Sequence, residues 1–130
     1  MNLNDILFSK SHIFVYEKNG FCYAGVSDIL LKRLGAVKKV YLHKTAAHYE
    51  KGEIFGFLET DSSAFELFMP AAGRITAVNK RFKLTSAFLP QEIETVIKKN
   101  RLIKFFPDSF EESKSDLMNI TDYMKYAENN

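Results

Sequence analysis

The chain has 130 residues, 46% of them hydrophobic, with 18 basic and 16 acidic side chains and a formal net charge of +2. That length suits a single domain spanning 1–130, no apolar run is long enough to cross a bilayer, and the near-balanced charge gives no reason to expect nucleic acid or a membrane as partner. The one cysteine, Cys22, excludes an internal disulfide framework.

The opening MNLNDILFSKSHIF lacks a basic stretch followed by a long apolar one. It is not read as a secretory signal, so the cytoplasm, or an organelle matrix, is the expected compartment. Ile13 to Glu17 is a β-rich run, Asn19-Gly20 is a two-residue hairpin signal, and Phe21 to Gly25 is the return strand. Ser27 can cap a short helix that Gly35 closes. Val37 to Leu42 is read as a strand. Glu50 to Glu53 is a turn into a strand over Ile54 to Thr60, and Asp61-Ser62-Ser63 is a second, polar turn. Phe65 to Met69 returns as a strand that ends at Pro70. Ala71-Ala72-Gly73 turns again before a strand over Arg74 to Val78. Pro90 to Lys99 is a helix candidate. Leu102 to Phe106 is the last strand, which Pro107 should stop. About 108–130 forms a polar tail of one or two short helices, the first capped by Asp108 or Ser109, with Asn129-Asn130 frayed.

Four stretches in this order resemble the glycine cleavage H-protein family. Ser9-Lys10-Ser11-His12, then Ala24-Gly25-Val26-Ser27-Asp28 and Gly35, is similar to the family's K-S-H-E-W, V-G-I-T-D and L-G. Lys51-Gly52-Glu53-Ile54-Phe55-Gly56-Phe57-Leu58-Glu59-Thr60 resembles K-G-x-x-x-G-x-x-E-S. Phe68-Met69-Pro70-Ala71-Ala72-Gly73-Arg74-Ile75 with Val78-Asn79 resembles Y-x-P-x-x-G-x-[IV]-x-x-V-N. Leu102 to Phe105, Pro107-Asp108 and a helix reaching Tyr123 fit the family's tail. The resemblance implies a lipoyl/biotinyl-like barrel-sandwich hybrid. This fold is mainly β: two small antiparallel sheets, a short helix in the amino-terminal half and helices at the carboxyl end. It also implies a hairpin whose tip lysine carries lipoate between the enzymes of glycine cleavage.

At that tip the family reads G-x-x-E-S-V-K-A-x-S-D-L-Y-x-P. Gly56 to Pro70 aligns with it without a gap, and Ser62 falls on the lysine. No lysine occurs between Lys51 and Lys80. Lipoylation makes an amide and needs a primary amine, so lipoate is not expected as a cofactor. Asp61 puts a carboxylate where the family has a small apolar residue, and Arg101 stands where it usually has tryptophan. The implied function is a non-carrier docking, regulatory or complex-subunit protein. Its partner would be a glycine cleavage or lipoate-handling enzyme met through Glu59, Asp61, Ser62, Ser63 and Glu66. The alternative is a carrier or ligand-binding protein that uses another residue or a non-covalent site.

Weaker signals favour plain structural roles. Asp61-Ser62 is similar to the pair that receives phosphopantetheine in acyl carrier proteins, but those are helical bundles and this is a polar turn. His12, His43 and His48 lack a carboxylate or cysteine at ligand spacing, so no metal is expected. Cys22, between Phe21 and Tyr23, should be a buried, inert thiol. The clusters Lys32-Arg33, Lys38-Lys39, Lys80-Arg81-Lys83 and Lys98-Lys99-Arg101 read as solvated faces. No nucleophile, base and oxyanion donors can be assembled, so no catalytic residue is assigned and the chain is not read as an enzyme.

Overall fold

A computed structural model of the chain describes residues 2–43, 46–79, 84 and 93–130, including all their side chains but those of 93–96. The large sheet takes the order β1 (Leu7–Phe8), β2 (Ile13–Lys18), β3 (Phe21–Val26), β9 (Arg101–Pro107), β8 (Gly73–Val78), β5 (His48–Tyr49). The small sheet takes the order β4 (Lys39–Leu42), β6 (Ile54–Glu59), β7 (Ala64–Phe68). All pairings in both are antiparallel. Four helices accompany them among the described residues: α1 (Asp28–Leu34), α2 (Ile93–Asn100), α3 (Phe110–Ser113) and α4 (Ile120–Asn129). This is the expected two-sheet architecture with helices, but the sheets are unequal and neither closes into a barrel.

Local chemistry accounts for the elements. Asn19 and Gly20 have φ of 55° and 84°, the positive pair that a two-residue hairpin with native twist requires. They set the register Lys18↔Phe21 and Tyr16↔Tyr23. The Ser27 hydroxyl accepts from Leu30 N–H at 3.1 Å and caps α1, and Gly35 N–H closes on the Leu31 carbonyl at 3.1 Å. Gly56 lies where β4 crosses close to β6: a Cβ there would stand 2.2 Å from the Tyr41 carbonyl oxygen. Glycine is required at that position by space rather than by φ.

Alternation sends one row of each sheet into a shared core. Val15, Cys22, Ala24, Ile75, Ile103 and Phe105 of the large sheet meet Phe55, Leu58 and Leu67 of the small one. A second cluster lies on the outer side of the large sheet, where Phe8, Phe14 and Tyr16 pack beneath Ile97 of α2 and Tyr123 and Ala127 of α4. Cys22 is fully buried in the first core, and burial raises its thiol pKa to about 12, with the Glu17 carboxylate adding to the rise.

Several boundaries differ from the sequence reading. β1 and β5, two residues each, were not foreseen, and β4 starts at Lys39 rather than Val37. Gly73 opens β8 instead of completing a turn, and it pairs with Pro107, which is the last residue of β9 rather than a stop before it. The tail forms two short helices. Ser109 takes the cap position of α3 without a side-chain bond, whereas Asn119 caps α4 by accepting from Asp122 N–H at 2.8 Å. The proposed start of a helix at Pro90 and the Lys80-Arg81-Lys83 cluster lie outside the described residues.

The final residues are held rather than frayed. His12 Nε2 lies 3.0 Å from the main-chain oxygen of Asn130, and Nδ1 lies 2.8 Å from the Tyr123 hydroxyl, itself 2.6 Å from Ser27 Oγ. The partners fix the protons. A main-chain oxygen only accepts, so Nε2 carries the hydrogen and Nδ1 accepts from Tyr123. Ser27 O–H in turn donates to Tyr123 while its oxygen caps α1. Burial lowers the His12 pKa and raises that of Tyr123 to about 12, which keeps both in the neutral forms the chain of bonds needs. Arg33 donates to the Ala127 carbonyl and Tyr126 donates to the Lys10 carbonyl at 2.7 Å, so α4 is fastened along its length.

Candidate functional site

The β6–β7 hairpin carries the residues singled out from the sequence. β6 and β7 pair from Ile54↔Phe68 to Glu59↔Ala64, with a register shift between Ile54 and Gly56. The turn beyond them is clasped by one side chain. Thr60 N–H donates to the Ser63 carbonyl at 2.8 Å, and Thr60 Oγ1 lies 3.2 Å from the Ser63 N–H, carbonyl and hydroxyl. Thr60 is buried, which leaves Asp61 and Ser62 at the apex, both exposed.

Charge at the tip is paired across strands. Lys38 Nζ lies 3.5 Å from Asp61 Oδ1, with the two side chains 54% and 82% exposed, so the pair contributes less than about 1 kcal/mol. Lys39 on β4 lies opposite Glu59. Glu66 is exposed opposite Phe57, whose ring stacks on Tyr41 at 4.5 Å and 23°. Glu59, half-buried, and Glu66 therefore share the outer face of the small sheet, with an aromatic pair beside them. Of the five expected contact residues, Asp61, Ser62 and Ser63 lie at the tip, Glu59 at the end of β6, and Glu66 two residues further down β7.

Cavities lie elsewhere. An open cleft of about 590 Å³ is lined by Ser9, Lys10, Lys51, Pro70 and Met118 at the base of the hairpin, and Lys51 is ion-paired with Asp116 there. A small enclosed space of about 20 Å³ under α4, beside Phe8 and Tyr123, has room for one water at most. Among the described residues no three His, Cys, Asp or Glu side chains are grouped to hold a metal ion. His48 lies 2.7 Å from Asp108 and 3.8 Å from Glu50, His43 packs near Tyr49, and His12 belongs to the buried chain of bonds. Sequence reasoning missed the Thr60 clasp and the Tyr41–Phe57 pair. The clasp was within reach, since a threonine at the first corner of a polar turn can bond the backbone beyond it. The aromatic pair depends on β4–β6 register, which no local signal specifies.

Comparison with known proteins agrees with this architecture. Residues 6–130 match the family model described as Glycine cleavage H-protein. The glycine cleavage system H protein of Prochlorococcus marinus strain MIT 9515 is 32% identical over 77 residues, 59% of this chain and 60% of that protein. That of strain AS9601 is 37% identical over 79 residues, 61% and 59% of the two chains. The H protein of Tropheryma whipplei strain Twist is 30% identical over 77 residues, 59% and 64%. The aligned stretch thus spans about three fifths of the length of these curated relatives. A crystal structure of a glycine cleavage system H protein from Mycobacterium marinum superposes with a TM-score of 0.71 at 18% identity, covering 94% of this chain and 95% of that one, and so shares the fold. Matched in sequence from residue 6 to residue 130 and alike in two-sheet architecture, the chain belongs to the glycine cleavage H-protein family.

Proposed function

We propose that this chain is an H-protein-like docking module without a lipoyl arm, acting as a regulator, decoy or complex subunit. The observation that carries this is the apex of the β6–β7 hairpin: Asp61 and Ser62 are exposed there, and no lysine lies between Lys51 and Lys80. Ser62 is read as standing at the position of the lipoyl lysine. Its hydroxyl has no nitrogen to form the amide, and serine lacks the four-carbon stem of a swinging arm. The partner is a protein, an enzyme of glycine cleavage or lipoate handling, met through Glu59, Asp61, Ser62, Ser63 and Glu66. An arm is unnecessary for that role, because recognition rests on the hairpin's shape and charge.

The test is the intact mass of the protein from its native cells, with peptide mapping from Gly52 to Arg74. An unmodified chain that loses partner capture on Asp61→Ala and Ser62→Ala supports the reading. Capture unchanged by both substitutions removes the tip from the function. A second reading rests on a specific contact: Lys38 Nζ lies 3.5 Å from Asp61 and so supplies an amine beside the tip, from the adjoining strand rather than the hairpin. In that case the chain is a carrier that uses another residue, and an adduct on the peptide containing Lys38 identifies it.

A further inference from the structure

Among the described residues, the outer side of the large sheet is covered along one half. Phe8, Phe14 and Tyr16 lie under α2 and α4. The register then continues the aromatic rows beyond the helices. One row runs Tyr16, Tyr23, Lys104, Ala77, and the next runs Lys18, Phe21, then Phe106 opposite Arg74. Tyr16 and Tyr23 stack at 5.3 Å and 18°, and Phe21 meets Phe106 edge-on at 5.6 Å. Phe106 is 56% exposed, a large apolar ring left in water.

Two cations of this face, Lys104 and Arg101, rest on rings. Lys104 Nζ is 4.3 Å from the Phe21 ring centre, and the Arg101 guanidinium is 4.8 Å from that of Tyr23 and donates to the Tyr16 hydroxyl at 2.9 Å. Both cations flank a shallow depression of about 230 Å³ that Tyr23, Val78 and Asn79 also line. Among the described residues no acidic side chain lines it; the nearest carboxylates of the rows, Asp108 and Glu50, flank His48 beyond Arg74. That volume is below the usual range for a whole small-molecule ligand but suits a phosphate and its sugar.

The geometry points to a nucleotide-binding face, with phosphate held between Arg101 and Lys104 and a base stacked on Phe106. Same-side residues on a strand repeat at about 7 Å, so Lys104 and Phe106 present a cation and a π-face one step apart. An acidic peptide would satisfy the charges and leave the Phe106 ring uncovered, whereas a nucleotide matches both. The source is either a free nucleotide or one unit of a single strand. The balance of the whole chain does not reveal this face, because acidic residues such as Glu59, Asp61 and Glu66 lie on the other sheet.

The test is fluorescence anisotropy of the full chain with a labelled ten-nucleotide oligothymidine, with AMP as competitor, and with polyglutamate and polyphosphate of matched charge. The expected result is that oligothymidine binds, Phe106→Ala weakens it about tenfold, and Lys104→Met lowers the salt slope by about one. Lys104→Met keeps the aliphatic stem over the rings, so it remains informative if Arg101→Gln unfolds the chain. Lys125→Met, at an exposed position of α4, leaves binding unchanged. AMP competing at a concentration similar to the strand assigns the site to free nucleotides, and competition by the strand alone assigns it to single-stranded nucleic acid. The proposal is overturned if neither binds. It is also overturned if Phe106→Ala leaves oligothymidine binding unchanged, or if polyphosphate or polyglutamate of matched charge binds more tightly than oligothymidine.

Discussion

The tip of the small sheet and the open face of the large sheet are built from the same unit, the cross-strand pair, yet they present opposite chemistry. At the tip, each lysine of β4 and its approach meets a carboxylate: Lys38 meets Asp61, and Lys39 lies opposite Glu59. On the open face, Lys104 and Arg101 lie against Phe21 and Tyr23. The net charge of +2 for the whole chain is therefore a measure of neither surface. The tip also depends on very few side chains, since two exposed residues make its apex. The face depends on the registers of three strands. One substitution can rewrite the first and leave the second intact.

The sharpest test of that asymmetry is Ser62→Lys. It restores an amine at an exposed apex without touching the core. The expected outcome is conversion from no attachment to stoichiometric lipoylation by a lipoate ligase in vitro, read as a mass shift on the hairpin peptide. Failure would mean that Asp61 or the turn itself, not the missing amine, blocks modification. Next in size is Gly56→Ala, which forces a methyl against the Tyr41 carbonyl. A loss of about 3 kcal/mol or more in denaturant unfolding is expected, and a loss under about 0.5 kcal/mol would show that β4 is free to shift.

Under the covered half of the large sheet, pH should act through His12. Burial, the largest cause, holds its folded pKa below the usual 6.5, and the positive charge of Arg33 lowers it further. The unfolded chain then binds more protons than the folded one between the two values. Stability is complete above about pH 6.5 and falls as pH drops through that value toward the lower folded pKa. Thermal melts from pH 8 to pH 5 should show this decline, and His12→Asn, which tolerates the φ of 68°, should flatten it. A slope unchanged in the variant would assign it to other groups. The smallest expected effect is Lys38→Met, below about 1 kcal/mol and absent in high salt.

What could be read from the sequence tracks how local its cause is. The Asn19-Gly20 turn, the Ser27 cap and the polar turn at Asp61 act within four residues, and each stands where the residues predicted. β1 and β5 have two residues each and exist only because β2 and β8 offer them an edge. Their own sequences carry no alternation to detect. Glu59 and Glu66 were chosen from position in a motif, and they lie on the two strands of the β6–β7 hairpin, opposite Ala64 and Phe57. The face around Phe106 was not visible, because it needs β3, β9 and β8 side by side, and β3 and β9 are separated by most of the chain.

The bonds from Ser27 through Tyr123 to His12 also bear on how the molecule is made. Tyr123 is 111 residues from His12. At about 5–20 residues per second of synthesis it leaves the ribosome roughly 6–22 s later. Throughout that interval the first hairpin can form, but Phe8, Phe14 and the His12 ring lack the part of their roof that α4 supplies. That corner of the fold is completed last, and an early-folding amino-terminal half must wait, with its aromatic flank open, for the final helix to close it.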